Sequence, residues 1–246
     1  MEAESRFRAM GSDVHVIIVG GSLRLLDLAR ELIDELEDRW SRFRSTSEIS
    51  LLNDRAGTPV RMSAPTVELV QHALEGARIT QGRYDPTVLG AVIRAGYDRT
   101  FELLSDESRG TDSPLRGGFE GIEVDAAAST VMLPRGVGFD PGGIGKGYAA
   151  DLLVRELRRH GAAGVCVNVG GDLRADGEGP GSGAWTISIE HPLDPKATEL
   201  IGLRAGPSPP APGSAGPGVQ RTTGATTSSI PGRACPPEAG SCRRPW

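Results

Sequence analysis

The stretch from Val137 to Val169 constrains this chain more than any other. It opens on Gly138-Phe139-Asp140-Pro141-Gly142-Gly143-Ile144-Gly145-Lys146-Gly147. An amphipathic run from Tyr148 to His160 follows, Gly161 interrupts it, and Gly164 to Val169 is apolar. In order, this spells strand end, glycine turn, helix and strand. Glycines let backbone N–H groups approach an anion closely, and a helix N-terminus adds partial positive charge. Lys146 supplies a mobile full charge beside them, and Asp140 places a carboxylate at the strand end. Such a turn suits a pyrophosphate. Two common phosphate motifs fail on detail. A P-loop needs Ser or Thr after its Gly-Lys pair, where Gly147 stands. The dinucleotide fingerprint needs a last glycine where Tyr148 stands, if Gly143 and Gly145 are the first two. A tight strand-to-helix turn with a surface lysine fits the same spacing.

Around this unit the periodicity predicts a strand over Asp13 to Val19, with Val14, Val16 and Ile18 on one side. Ser22 is placed to cap a helix carrying Leu25, Leu28, Leu32 and Leu36 and running to about Phe43. Ser47 opens a shorter helix to Asn53, and a third spans Ala64 to Thr80, ending near Gly82. Another short helix is expected after Asp85-Pro86, and an exposed loop from Leu104 to Gly118. Strands are expected over Gly121 to Val124, Thr130 to Pro134, Trp185 to Glu190 and Leu200 to Arg204. Strands mixed with helices, without strict βαβ repetition, predict an α+β fold with a mixed sheet and flanking helices.

Four further segments bear on function. Met10-Gly11-Ser12 precedes the first strand, and Ser41-Arg42-Phe43-Arg44-Ser45-Thr46-Ser47-Glu48-Ile49-Ser50-Leu51-Leu52-Asn53 follows the first helix. Tyr84-Asp85-Pro86-Thr87-Val88 follows the third helix, and Val167-Asn168-Val169-Gly170-Gly171-Asp172 the fourth. With Asp140 to Asp151, in this order and spacing, the chain resembles the FAD:protein FMN transferases, the ApbE family, over roughly residues 5 to 204. The resemblance implies an ApbE-like, T-fold-like architecture and an enzyme. That enzyme moves FMN from FAD to a threonine hydroxyl of a target flavoprotein, releases AMP and uses Mg²⁺. It further implies that Met10 and Phe43 line the flavin pocket, Phe43 standing where the family usually has Tyr. Arg83, Tyr84 and Asp85 would contact the nucleotide, Arg83 replacing an apolar residue. Asp140 and Lys146 would bind FAD, and Gly143 would give its carbonyl to the metal. Asn168, Gly170 and Gly171 would shape the turn beneath the nucleotide. Each residue type also has a plain structural use: Met10 and Phe43 as core, Asp85 as a helix-start residue, Gly170-Gly171 as a turn, Asn53 as a cap, Asp151 as an ion-paired surface acid. A flavin-binding protein without catalysis, and an unrelated nucleotide-binding domain built on the Gly-Lys turn, are the competing readings.

Composition sets the outer limits. With 246 residues the chain makes one medium domain or two small ones, and at 4% aromatics its core must rest on aliphatic side chains. A net charge of −5 argues against a general nucleic-acid binder. Cys166, Cys235 and Cys242 share no metal-site spacing, and His15, His72, His160 and His191 form no recognisable site. No stretch approaches a membrane span. Met1 to Arg6 carries neither an apolar region nor a lipid-attachment cysteine, so the expected location is the cytoplasm, although relatives of the resembled family are often exported.

From Gly206 to Trp246 the texture changes. This segment holds half of the chain's 18 prolines and almost no Leu, Ile, Val or Phe. It cannot bury enough apolar surface to offset its ordering entropy. The expectation is an ApbE-like domain over residues 1–204, incomplete at its C-terminal end, and a disordered tail over 205–246. The family's His-x-Ile-Asp-Pro-x-Thr-Gly motif, with its candidate base, is absent, so no catalytic residue is assigned. Yet GC-rich codons for Ala225 to Ala234 (GCC ACC ACC TCA TCG ATC CCC GGA CGG GCC), read from the third base, spell His-His-Leu-Ile-Asp-Pro-Arg-Thr-Gly. The same shifted frame from Gly206 onward allows Pro-Val-Ala-Thr-Ser. A frameshift near residue 205 is therefore expected.

Overall fold

Alternating apolar residues pair face to face at the centre of the structure. In the computed structural model, which describes residues 1–96, 118–181, 183–191 and 194–203, strand β2 (Ser12–Val19) pairs antiparallel with β6 (Gly164–Val169). Val14 lies opposite Val169, Val16 opposite Val167 and Ile18 opposite Val165, and all six are buried. Strand β1 (Glu2–Ala9) pairs with the other edge of β2, and β7 (Asp172–Gly177) with that of β6. The order β1-β2-β6-β7 makes a four-stranded antiparallel sheet. Its apolar face is covered by α1 (Arg24–Trp40) and α5 (Gly145–Arg159), which also pack on each other. Leu25, Ala29, Ile33 and Leu36 of α1 and Leu153, Val154 and Leu157 of α5 recur at helical spacing and are buried.

Two hairpin turns close one end of this sheet. Met10-Gly11 joins β1 to β2 and Gly170-Gly171 joins β6 to β7. All four residues have positive φ, as a two-residue I′ connection requires. A second sheet, order β3-β5-β4, uses β3 (Val60–Arg61), β4 (Glu123–Asp125) and β5 (Thr130–Met132). Helix α2 (Glu48–Asp54) packs on α1 and α3 (Ala64–Ile79) on β4, and α4 (Leu89–Arg94) is a short helix with no buried residue. Strands β8 (Trp185–His191) and β9 (Asp194–Leu203) pair only with each other among the described residues. The α+β class matches expectation. Pairing within all three sheets is antiparallel, with one isolated parallel bridge from Val88 to Gly138.

Several boundaries move for physical reasons. Helix α1 ends at Trp40 rather than near Phe43, because Ser41 turns extended and the Trp40 indole N–H donates to Thr66 Oγ1 at 3.0 Å. Helix α5 begins at Gly145, not Tyr148, which puts Lys146 inside its first turn. The Ser47 cap appears as expected, accepting from the Ser50 N–H at 3.0 Å. After Asp85-Pro86 the chain first makes a turn, in which the Asp85 carboxylate accepts from the Thr87 N–H and hydroxyl, and α4 starts only at Leu89. Strands β1, β3 and β7 carry no expectation. The inward positions Arg174 and Asp176 of β7 are polar and pair with Asp151 and Arg158 of α5, so no apolar alternation marks the strand. The loop expected over 104–118, except Gly118, and the tail expected over 205–246 lie outside the described residues. Among the described residues, no helix is long and apolar enough to cross a membrane.

Candidate nucleotide site

Asp140 organises the glycine turn. Its backbone is extended, and its Oδ1 accepts from the Gly142 N–H at 2.9 Å, capping a single 3₁₀ turn over Pro141–Gly143. Its backbone N–H donates to Pro86 O at 2.8 Å, which fastens the turn to the Tyr84-Asp85-Pro86 segment. Arg42 Nε lies 3.9 Å from Asp140 Oδ2, both side chains being mostly buried. The ring of Tyr84 fills the space between two glycines. A Cβ at Gly143 would come within 2.8 Å of Tyr84 Cε2, and one at Gly76 within 3.3 Å of Cδ1. Only glycine at position 143 lets the turn close on the ring.

These contacts wall a cavity of about 550 Å³. Arg83, Tyr84, Asp85, Asp140, Gly142 and Gly143 line it, with Val88, Val92 and Phe119 giving an apolar side. The volume and mixed lining are those of a small-molecule site. Tyr84 Oη is buried without a hydrogen-bond partner among the described residues. Burial, then the charges of Asp140 and Asp85, push the phenol up to about 12, so it stays neutral at ordinary pH.

Lys146 sits on the other side of the turn. A Cβ at Gly170 would meet Ser12 Oγ at 2.6 Å and Lys146 Nζ at 3.2 Å, so the lysine head lies beside the Gly170-Gly171 turn. It makes no ion pair among the described residues. The first-turn N–H groups of α5 have no acceptor within the helix, which leaves donors and a cation at one helix end. Tyr148 anchors that end. Its ring stacks on Trp40 at 5.8 Å and touches the His72 ring at 4.6 Å, and its hydroxyl donates to Glu68.

The structure thus gathers Arg83, Tyr84 and Asp85 with Asp140 and Gly143 around the cavity, and Lys146 with Gly170 beside it. Asn168 Oδ1 accepts from the Gly171 N–H at 2.9 Å, so its side chain holds the hairpin turn, and Gly170 N donates to Asp13 O. Met10 is half-buried against the core, and Glu37 accepts its N–H at 2.7 Å. Phe43 is 43% exposed, with the Arg42 guanidinium 4.3 Å above its ring. Neither Met10 nor Phe43 lines the cavity. Asp151 pairs with Arg174 at 3.4 Å. Two features escaped the sequence reading. Arg42 has a place beside Asp140, and the Asn53 amide reaches the backbone of Phe139. Both partners are distant in sequence, and no local pattern announces them.

No group of three or more His, Cys, Asp or Glu side chains among the described residues is arranged to hold a metal ion.

With this geometry in view, similarity to known proteins is informative. A protein of Vibrio cholerae serotype O1 named FAD:protein FMN transferase is 27% identical over 175 residues, which cover 69% of this chain and 52% of that protein. One of the same name from Haemophilus influenzae is 25% identical over 200 residues, covering 75% and 57%. The chain spans little more than half the length of these relatives. Among solved structures, the ApbE protein of Thermotoga maritima superposes with a TM-score of 0.71 at 24% identity, over 84% of this chain and 69% of that one. The flavinyl transferase ApbE of Pseudomonas stutzeri, in its apo form, gives 0.68 at 22% identity, over 83% and 66%. These two share the fold. The ApbE family model matches residues 10–207, and the chain belongs to the ApbE family.

Proposed function

We propose that this chain is the FAD-binding part of a FAD:protein FMN transferase. The observation that carries the reading is the cavity walled by Tyr84, Asp85, Asp140 and Gly143, next to a helix N-terminus that carries Lys146. The names of the relatives support it. FAD fits the donor set: a diphosphate suits the α5 N-terminus and Lys146, and a polar group of the ligand would satisfy Tyr84 Oη. Lys146 would neutralise non-bridging phosphate oxygens, and Asp140 would keep the turn in shape through Gly142. The proposed reaction breaks the P–O bond between the FMN phosphorus and AMP, and forms one to a threonine Oγ of an acceptor flavoprotein. Phosphoryl transfer rests mainly on positioning and charge neutralisation. Mg²⁺ would supply such neutralisation when bound, with the Gly143 carbonyl as one ligand. The threonine proton needs a base, and no described residue takes that role. A second reading, in which the chain binds FAD without transferring FMN, rests on this gap among the described residues.

One experiment separates the two. The 246-residue chain is mixed with FAD, Mg²⁺ and an acceptor domain bearing the target threonine, and the gel is inspected for flavin fluorescence. Covalent labelling supports transfer, and FAD binding without labelling supports the second reading. Lys146→Ala and Asp140→Ala are each expected to weaken FAD binding by about tenfold or more, the scale of a lost charge-assisted hydrogen bond. Unchanged affinity in both removes the nucleotide from this turn.

A further inference from the structure

We propose that Asn53 is a positioning residue for the nucleotide site, acting through the backbone of Phe139; this rests on the FAD-binding reading above. The Asn53 amide makes both hydrogen bonds that a strand partner would make. Its Nδ2 donates to Phe139 O at 2.9 Å, and its Oδ1 accepts from Phe139 N at 2.7 Å. The next peptide N–H, of Asp140, donates the opposite way to Pro86 O at 2.8 Å, and Gly138 bridges to Val88 on that same side. The strand end before the glycine turn is therefore held between the Pro86–Val88 segment and one side chain. Asn53 takes the place of a missing strand.

The clamp is firm at both ends. Helix α2, which carries Asn53, is fixed by Ile49 and Leu52, both fully buried, and by the Ser47 cap. Phe139 itself is fully buried. What lies between has only backbone freedom, and the Phe139–Asp140 peptide controls two walls of the cavity. Its carbonyl is held by Asn53, and its N–H holds Pro86, next to Tyr84 and Asp85. Without the amide, a rotation of this peptide releases Pro86 and swings the Asp140 carboxylate away from Gly142 and Arg42. Asn53 touches no cavity surface, so its effect on a ligand travels through Asp140 and Tyr84.

Aspartate at this position gives the test. Ionised, Asn53→Asp still accepts from Phe139 N–H but cannot donate to Phe139 O. Protonated, it regains the donor and reproduces the amide pattern. The facing carbonyl favours the protonated form, raising the introduced carboxyl. FAD affinity is measured by fluorescence titration for the parent 246-residue chain, Asn53→Asp and Asn53→Ala, at about pH 8 and pH 5. Each variant is divided by the parent at the same pH, which cancels pH effects common to both proteins. Asn53→Ala is expected to bind about tenfold more weakly at both pH values. Asn53→Asp is expected to be equally impaired at pH 8 and to recover to within about threefold of the parent at pH 5. A merely structural asparagine would change thermal stability without this recovery. An Asn53→Asp that matches the parent at pH 8, or stays equally impaired at both pH values, overturns the proposal. If Asn53→Ala does not fold, the aspartate variant decides alone. A parent that binds no FAD overturns both this inference and the functional reading, whereas a binding parent with unaffected variants overturns this inference only.

Discussion

Replacing Tyr84 with phenylalanine should stabilise the ligand-free protein, against the usual direction of core substitutions. The Tyr84 hydroxyl is buried with no hydrogen-bond partner among the described residues. A buried polar group left unsatisfied costs about 1–3 kcal/mol. Tyr84→Phe removes that cost and leaves a void of one oxygen atom, which opposes the gain by up to about 1 kcal/mol. The ring stays clamped between Gly76 and Gly143, so packing is otherwise retained. The net gain is about 1–2 kcal/mol, or a rise in Tm of about 2–8 °C for a domain of this size. The pH dependence has a defined sign. An unfolded tyrosine ionises near pH 10, while the folded Tyr84 phenol stays protonated to about 12. Between these values the folded state binds more protons at this site, so the parent loses stability as pH rises by a share that Tyr84→Phe lacks. The difference between the two proteins should therefore widen from pH 7 to pH 11. Urea denaturation at both pH values, beside a thermal scan at pH 7, measures it. A Tyr84→Phe protein that is less stable than its parent at pH 7 would refute the view that this hydroxyl lacks a partner in the ligand-free protein. In the presence of FAD, the same substitution should shrink the ligand-induced rise in Tm, because the ligand loses a group it would satisfy.

Three further outcomes are expected. Gly170→Ala should lower stability by about 2–3 kcal/mol, because φ there is +59° and the new Cβ would stand 2.6 Å from Ser12 Oγ; a Tm within a degree of the parent would count against the close approach of the hairpin turns. Cys166, 5% exposed and with its thiol pushed up to about 11 by burial, should resist iodoacetamide at pH 8 in the native protein and react readily in urea, as read by peptide mass mapping; equal rates would contradict its burial. Resequencing the gene across codon 205 should reveal a single-base shift that restores the His-His-Leu-Ile-Asp-Pro-Arg-Thr-Gly reading, and an unbroken frame there would dispose of the frameshift proposal.

Local chemistry was legible in the sequence where a residue acts on its neighbours. Ser47 caps the helix it precedes, Gly161 with φ +96° stops α5, and the Asp140-to-Lys146 turn joins a strand end to a helix. Buried strands with clear alternation, such as β2 and β6, were legible for the same reason. What stayed hidden depends on distant partners. Arg174 and Asp176 look like surface residues until Asp151 and Arg158 arrive from α5 to neutralise them, so β7 has no apolar signature. Strand β1 carries Glu2, Glu4, Arg6 and Arg8 on its outward side and only a thin apolar side, Phe7 and Ala9, toward the core. Within the site, side-chain type suggested Asp140 and Lys146, but position 53 reads as a helix-end asparagine until the Phe139 backbone is placed beside it, 86 residues away. The end of α1 at Trp40 was hidden too, since the indole finds its acceptor on α3.

The order of strands in the larger sheet bears on how the protein is made. β1 and β2 are neighbours in sequence, and so are β6 and β7, but the joint between the two hairpins links opposite ends of the described chain. During synthesis the first hairpin leaves the ribosome with the backbone N–H and C=O groups along one edge of β2 unpaired, and with Val14, Val16 and Ile18 uncovered on one face, until β6 has followed. Closing so long a loop is slow, and an unpaired strand edge invites pairing with the wrong chain. Helix α1, which emerges next and packs on both β1 and β2, is the element available to shield that surface while the second hairpin is still being translated.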